Sequence, residues 1–149
     1  MKVLIDTNVM IDVLQNRQPW VLHGTSIFRA VAVQQITGCI TAKQIADIHF
    51  FSRKLFSGQD NVDARTRQIT GRILSLFTLI DTLASDCRDA LGNSNGDYED
   101  AMLIAAAVRT GMDYIITRNM EHFKGSAVPA ILPADFVKLL RNFSTDTRA

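Results

Sequence analysis

The sequence predicts an α/β fold, a three-layer α/β/α sandwich around a central, mostly parallel sheet of four to five strands. Three observations lead there. Short apolar runs rich in aliphatic and β-branched residues recur along the chain, and two of them, Lys2–Ile5 and Phe77–Ile80, stop at an aspartate, Asp6 and Asp81. Stretches of ten or more residues with helical spacing of apolar positions lie between strands. Strands joined by such crossovers run parallel, with helices over both faces of the sheet.

The elements follow in order. Lys2-Val3-Leu4-Ile5 is a buried strand by its aliphatic content, and Asp6-Thr7-Asn8 suits the cap of a helix. The spacing predicts a short helix from Val9 to Asn16 or Arg17, carried by Val9, Ile11, Val13 and Leu14. Pro19 suits the early part of a second helix reaching Gln35, with Val21, Leu22, Ile27, Phe28, Val31 and Ala32 turned inward. Thr37-Gly38 breaks it, Cys39-Ile40 makes a short strand, and Thr41 caps a helix over 42–56. Ile45, Ile48, Phe50, Phe51 and Leu55 form its apolar stripe. After a turn over 57–61 comes a helix over 63–76, with Ile69, Ile73 and Leu76 inward and Arg65, Arg67, Gln68 and Arg72 outward. Phe77–Ile80 is a strand, 82–91 a helix, and Gly92-Asn93-Ser94-Asn95-Gly96 a loop. Residues 97–110 make the clearest helix, alanine-rich and closed by Gly111. Tyr114–Thr117 and Val128–Leu132 read as strands and 133–141 as the last helix. One domain over 1–143 with a flexible tail over 144–149 is expected.

At 149 residues and 16.6 kDa the chain suffices for one domain that needs neither a disulfide nor a metal merely to fold. A hydrophobic fraction of 47% and a formal charge of +1 exclude a polycation and a largely disordered chain. No apolar run approaches the ~20 residues of a membrane span, and the start lacks the features of a signal peptide. Cys39 and Cys87 lack CxxC spacing and read as ordinary buried thiols in a reducing compartment, so a cytoplasmic location is expected. Charge is segregated. Over 43–72 six lysines and arginines face three aspartates, whereas over 81–100 six acids face Arg88 alone. An acidic pocket beside a basic approach surface is the functional reading of that pattern.

Ligands of parallel sheets gather beyond the carboxyl ends of the strands, which places Asp6, Asp81 and Arg118-Asn119 near one rim. Asp6 could simply cap a helix. Asp47 resists that explanation, because it interrupts an apolar helix between Ala46 and Ile48. Asp97, Glu99 and Asp100 crowd a helix start, where the macrodipole favours each acid by about 0.3–1 kcal/mol. Asp97 and Asp100 share a face. If Asp6, Asp47 and Asp100 meet at the rim, their repulsion demands a cation, and no lysine or arginine is tied to all three by sequence. Oxygen ligands without His or Cys suit Mg²⁺ or Mn²⁺, ions that polarise a phosphoryl oxygen and activate water. Other functions lack their residues. Asp6-Thr7-Asn8 misses the second carboxylate of an aspartyl-phosphate phosphatase, a phosphate receiver's acid pair and lysine are not evident, and no glycine-rich turn follows the first strand.

Four segments, in order, carry a resemblance: Val3-Leu4-Ile5-Asp6-Thr7-Asn8-Val9, Ala46-Asp47-Ile48, Asp97-Tyr98-Glu99-Asp100-Ala101-Met102 and Ile115-Ile116-Thr117-Arg118-Asn119-Met120-Glu121-His122-Phe123. Together they resemble the PIN domain, closest to small prokaryotic PIN proteins whose best-known members are VapC-type toxins. The likeness runs from Met1 to about Leu140. It implies a metal-dependent endoribonuclease that cuts single-stranded or structured RNA using Mg²⁺ or Mn²⁺. It also implies a toxin neutralised by an antitoxin protein, and a homodimer.

Carried over position by position, Asp6, Asp47 and Asp100 match the family's first three acids, as catalytic and metal-binding residues. Asp97 is a further candidate ligand. The second position is more usually glutamate, so Asp47 is one methylene short, and the segment of the fourth acid carries Asn119, for which Glu121 or Asp97 could substitute. Asn8, Thr117, Asn119 and Glu121 would support the site through water or phosphate. Lys43, Arg53, Lys54 and Arg118 are candidates for the RNA backbone, with a structural pair to Asp113 or Glu121 left open for Arg118. Trp20, Phe28 and Phe51 are candidate dimer contacts. Phe50 and Phe51 read as core or dimer contacts rather than base-stacking platforms, and His23, His49 and His122 as surface or packing residues. The rival reading is a catalytically inactive PIN-like nucleic-acid-binding module. Asn119 and the short Asp47 point to it, and the retained acids argue against it.

Overall fold

A computed structural model describes residues 1–93 and 96–146. Five short strands form one sheet among the described residues: β1 (Lys2–Ile5), β2 (Thr37–Thr41), β3 (Thr78–Ile80), β4 (Tyr114–Ile116) and β5 (Ala130–Ile131). Every pairing is parallel, in the order β3-β2-β1-β4-β5. The chain lays β2 and β3 on one side of β1, then returns to lay β4 on the other. That reversal opens a crevice at the carboxyl ends of β1 and β4, where ligands of open parallel sheets bind.

Seven α-helices cover the sheet among the described residues: α1 (Thr7–Leu14), α2 (Val21–Ala32), α3 (Ala42–Leu55), α4 (Val62–Leu76), α5 (Ala84–Ala90), α6 (Tyr98–Arg109) and α7 (Pro133–Asp146). Strand residues alternate between two cores, as the two-residue period of a strand requires. Val3, Ile5, Ile40 and Ile116 join Ile27, Ile48, Ile73 and Phe136 on one face, from α2, α3, α4 and α7. Leu4, Cys39 and Ile115 join Leu103, Ile104 and Ala107 of α6 on the other. The three-layer sandwich expected from the sequence is therefore present. Both cysteines are free; Cys39 is buried, whereas Cys87, also expected to be buried, is only half-buried.

Some details differ from expectation. Leu22 and Ala32 of α2 are exposed, while Phe28 is half-buried with its ring edge-on to Phe77 at 4.8 Å. Phe50 and Phe51 leave the inward stripe of α3; Ile48 alone of those five positions is fully buried. α5 starts only at Ala84, because the Asp86 carboxylate accepts the Leu83 amide at its start. β5 contracts to two residues after Pro129, which has no amide proton but accepts from the Ile115 amide at 3.0 Å. α7 continues past Arg141 to Asp146, so its bounds take in the first residues of the expected tail; residues 147–149, like Ser94 and Asn95 of the expected loop, lie outside the described residues. No described helix is long and apolar enough to cross a membrane.

One close approach bears on the site. A Cβ on Gly24 of α2 would stand 2.5 Å from Val13 Cγ2 of α1. Only hydrogen fits there, so α2 lies against the helix that begins at Asp6.

Candidate active site

Asp6 follows β1 directly, and its amide donates to the Ile116 carbonyl at 2.9 Å, extending the β1–β4 ladder by one residue. The first carboxylate is thereby fixed at the crevice. It occupies the N-cap position of α1 without a side-chain capping hydrogen bond. Instead, Asp6 Oδ2 accepts from Thr117 Oγ1 at 2.6 Å and from Asn8 Nδ2 at 2.7 Å. The Thr117 hydroxyl in turn accepts from the Asn119 amide at 2.9 Å. Asp6 is only 4% exposed, and both of these partners are neutral. Burial pushes its carboxyl up to about 6; the negative charge of Asp100 pushes the same way, against the hydrogen bond from Thr117.

Asp47 arrives from α3, whose start is fixed by a reciprocal cap. Thr41 Oγ1 accepts from the Gln44 amide, and Gln44 Oε1 accepts from the Thr41 amide. Gln44 also donates through Nε2 to the Ile5 carbonyl at 2.8 Å and to Thr7 Oγ1 at 3.2 Å. One buried amide thus ties the end of β1 to the helix bearing Asp47. Asp100 arrives from α6, capped by Asp97, whose Oδ1 accepts from the Glu99 and Asp100 amides at 2.7 and 3.1 Å. Asp100 Oδ2 lies 2.6 Å from His122 Nδ1, which is also 2.6 Å from the Asn119 side-chain amide. The Asp100 carboxyl is raised, first by burial, opposed by the His122 hydrogen bond and reinforced by Asp97.

A cavity of about 290 Å³ brings the three together. Asp6, Asp47 and Asp100 line it with Thr7, Lys43, Gln44, Phe50, Phe51, Glu99 and Leu103. Lys43 reaches Asp47 at 2.6 Å and Glu99 at 2.7 Å, so one ammonium joins two carboxylates, from α3 and α6, at the cavity wall.

Other candidates stand elsewhere or act differently. Asp97 is exposed and serves as a cap. Glu121 faces solvent, paired with Lys124, and Asp81 does not line the cavity. Arg53 pairs with Asp63 at 2.6 Å. Lys54 lies over the Phe50 ring, 4.5 Å from its centroid. Arg118 donates to buried Asp12 and stacks over Trp20 at 4.4 Å, a different pair from either considered for it. His49 sits against Thr70 between α3 and α4, as a packing residue does. His122, expected as surface or packing, instead contacts Asp100. Sequence reasoning passed over Gln44 as well; the Thr41-x-x-Gln44 spacing is the signal that finds it.

A sequence-family comparison decides between folds of this shape: residues 2–121 match the model of the PIN domain. The chain belongs to the PIN domain family. No curated protein sequence matches it. Among solved structures, this PIN domain is similar to a chain of FitAcB from Neisseria gonorrhoeae, with a TM-score of 0.68 at 15% identity over 89% of this chain and 98% of that one. It is similar to a chain of VapBC2 from Rickettsia felis bound to a DNA fragment from its promoter, with a TM-score of 0.64 at 14% identity over 89% and 98%. It also shares its fold with VapC20 of Mycobacterium tuberculosis, a sarcin–ricin loop cleaving toxin, with a TM-score of 0.54 at 10% identity over 76% and 86%. At these identities the likeness is one of fold.

The donor chemistry of the cavity suits a hard divalent ion. Carboxylate oxygens from three elements face one space, and Asp6 is buried with neutral partners. Among the described residues, however, no three His, Cys, Asp or Glu side chains are grouped tightly enough to hold an ion as they stand. Lys43 engages Asp47, and His122 engages Asp100.

Proposed function

We propose that this PIN domain is a Mg²⁺- or Mn²⁺-dependent endoribonuclease that hydrolyses phosphodiester bonds in single-stranded or structured RNA, as the toxin of a toxin–antitoxin pair. The observation that carries the reading is Asp6: a buried carboxylate with neutral hydrogen-bond partners, facing a cavity shared with Asp47 and Asp100. A buried carboxylate without a compensating cation is costly, and a divalent ion removes that cost. Asp6, Asp47 and Asp100 would hold the ion. When bound, such an ion supplies charge for a phosphoryl oxygen and a water of lowered pKa.

The residues of the chain have distinct tasks in that chemistry. Thr117 and Asn8 fix the Asp6 carboxylate through one oxygen. Gln44 sets α3, and with it Asp47, against the end of β1. His122 and Asn119 orient Asp100. Lys43 pairs with Asp47 and Glu99 at the cavity wall, where its ammonium would meet an incoming phosphate.

The Mycobacterium relative in fold is a cleaving toxin, and a Klebsiella pneumoniae structure that is also similar, with a TM-score of 0.64 at 20% identity over 88% of this chain and 97% of that one, is a toxin–antitoxin complex. They support a neutralising antitoxin as the partner. A second copy of the chain is the other expected partner, with exposed Trp20 as a contact, while Phe28 is engaged by Phe77. The Lys43 bridge favours one alternative, an inert nucleic-acid-binding module in which the ammonium permanently fills the cation's place.

The test is cutting of end-labelled single-stranded RNA by wild type and Asp6→Asn, with Mn²⁺ and with EDTA. Wild type should cut only with metal, and Asp6→Asn should lose at least about a hundredfold in rate. Binding without cutting, on any RNA and with either metal, would establish the inert module instead.

A further inference from the structure

Along α3 one face carries Lys43, Asp47, Phe50, Phe51 and Lys54 at spacings of three and four residues. Side chains so spaced stand one above another, a turn of 5.4 Å apart. The two phenylalanines are 57% and 36% exposed, which is unusual for rings on a helix whose Ile48 is buried in the core. They do not merely sit on the outside. Both line the cavity that Asp6, Asp47 and Asp100 share. Their rings meet edge to face, centroids 5.9 Å apart at 71°, so each constrains the other. Lys54 Nζ lies 4.5 Å from the Phe50 centroid and 5.3 Å from that of Phe51.

We propose that Phe50 and Phe51 form a stacking platform for an unpaired base of the RNA beside the bond to be cut, with Lys54 meeting the adjoining phosphate. This deepens the nuclease reading and rests on it. The charge pattern selects a nucleic acid rather than an apolar peptide. The aromatic patch is bounded on one side by carboxylates that need a cation and on the other by Lys54, an order that suits a base with a phosphate on either side. Stacking on aromatic faces tolerates any base, and purines present the larger face. A base held here leaves its own phosphate at the acids, so recognition and cutting share one helix. Such a platform also restricts the substrate to unpaired nucleotides, since a base inside a duplex cannot reach the rings.

The test measures binding apart from cutting. Asp6→Asn protein is titrated, by fluorescence anisotropy, against labelled hexamers of adenylate, of uridylate and of an abasic ribose-phosphate chain. Phe50→Ala added to Asp6→Asn should weaken adenylate binding by about 5- to 100-fold and uridylate binding less, with the abasic chain unaffected. Phe50→Leu, which keeps apolar bulk without a ring, should behave like Phe50→Ala, and Phe50→Tyr should restore binding. Unchanged adenylate affinity in the Ala and Leu variants, or an equal loss on the abasic chain, would overturn the platform. So would a dimer that dissociates on sedimentation of Phe50→Ala while RNA affinity holds, for the patch would then be a contact between copies. Metal-dependent cutting that ignores Phe50 sinks the platform alone; base-dependent binding without any cutting sinks the nuclease alone.

Discussion

Two buried aspartates of this chain have opposite surroundings. Asp86, 1% exposed, receives two hydrogen bonds from Arg109, each 2.8 Å, and one from the Leu83 amide. The arginine holds its carboxyl below the usual range. Asp6, 4% exposed, has a hydroxyl and an amide side chain for partners, and burial drives its carboxyl up to about 6. The same side chain is thus a finished structural contact at the foot of α5 and an unfinished one at the end of β1. Burial alone does not distinguish function from packing. What distinguishes them is whether the protein supplies the countercharge itself.

That contrast can be broken most forcefully at Asp86. Asp86→Ala removes two charge-assisted hydrogen bonds from Arg109, which is exposed and keeps its bond to the Asp81 carbonyl, together with the cap of α5, and should cost about 3 kcal/mol in urea unfolding. A loss under 1 kcal/mol would mean that the arginine is satisfied by water.

Asp6→Asn should act the other way in the metal-free protein. Thr117 and Asn8 donate to a single oxygen of Asp6, so an amide oxygen can keep both bonds. Because the folded carboxyl is raised from 3.8 to about 6, the native state holds its proton more tightly than the unfolded chain does. Stability therefore falls as pH rises from about 4 to about 6, by up to about 3 kcal/mol, and the whole cost is present at pH 7. Asp6→Asn should recover up to that amount at pH 7 and nothing near pH 4. Equal unfolding free energies for the two proteins at pH 7 would contradict an uncompensated carboxylate.

The smallest effect sharpens the contrast. Millimolar Mn²⁺ should raise the melting temperature of wild type, by binding only the assembled acids, and leave Asp6→Asn unmoved; a hundredfold excess over Kd corresponds to about 2.7 kcal/mol. A shift of the same size in both would place the ion elsewhere.

The sandwich and the three acids were legible in the sequence for a local reason. Alternating apolar strands and periodic helices write themselves into neighbouring residues, and Asp6 and Asp47 each interrupt such a pattern. From the residues alone Asp100 was one of three crowded acids, because helix phase cannot separate an exposed cap such as Asp97 from a residue facing the cavity; the family resemblance was what singled it out. Of the two readings of Phe50 and Phe51, as core or as dimer contacts, the core one fails because an apolar stripe looks identical whether it faces a core or a cleft. Arg118 and Asp12 lie 106 residues apart, and no spacing rule connects them. His122 was read as a surface or packing residue because its contact with Asp100 depends on where the turn after β4 sends the chain, a tertiary outcome rather than a pattern.

The hydrogen of Gly24 has a reach that its position conceals. Any side chain there must displace Val13 or push α2 off α1, and α1 begins at Asp6 and carries Asn8 and Asp12. A replacement that shifts α1 would therefore be scored in an activity screen as an active-site lesion. The tolerance of this PIN domain to mutation is governed partly by a residue that offers no functional group at all.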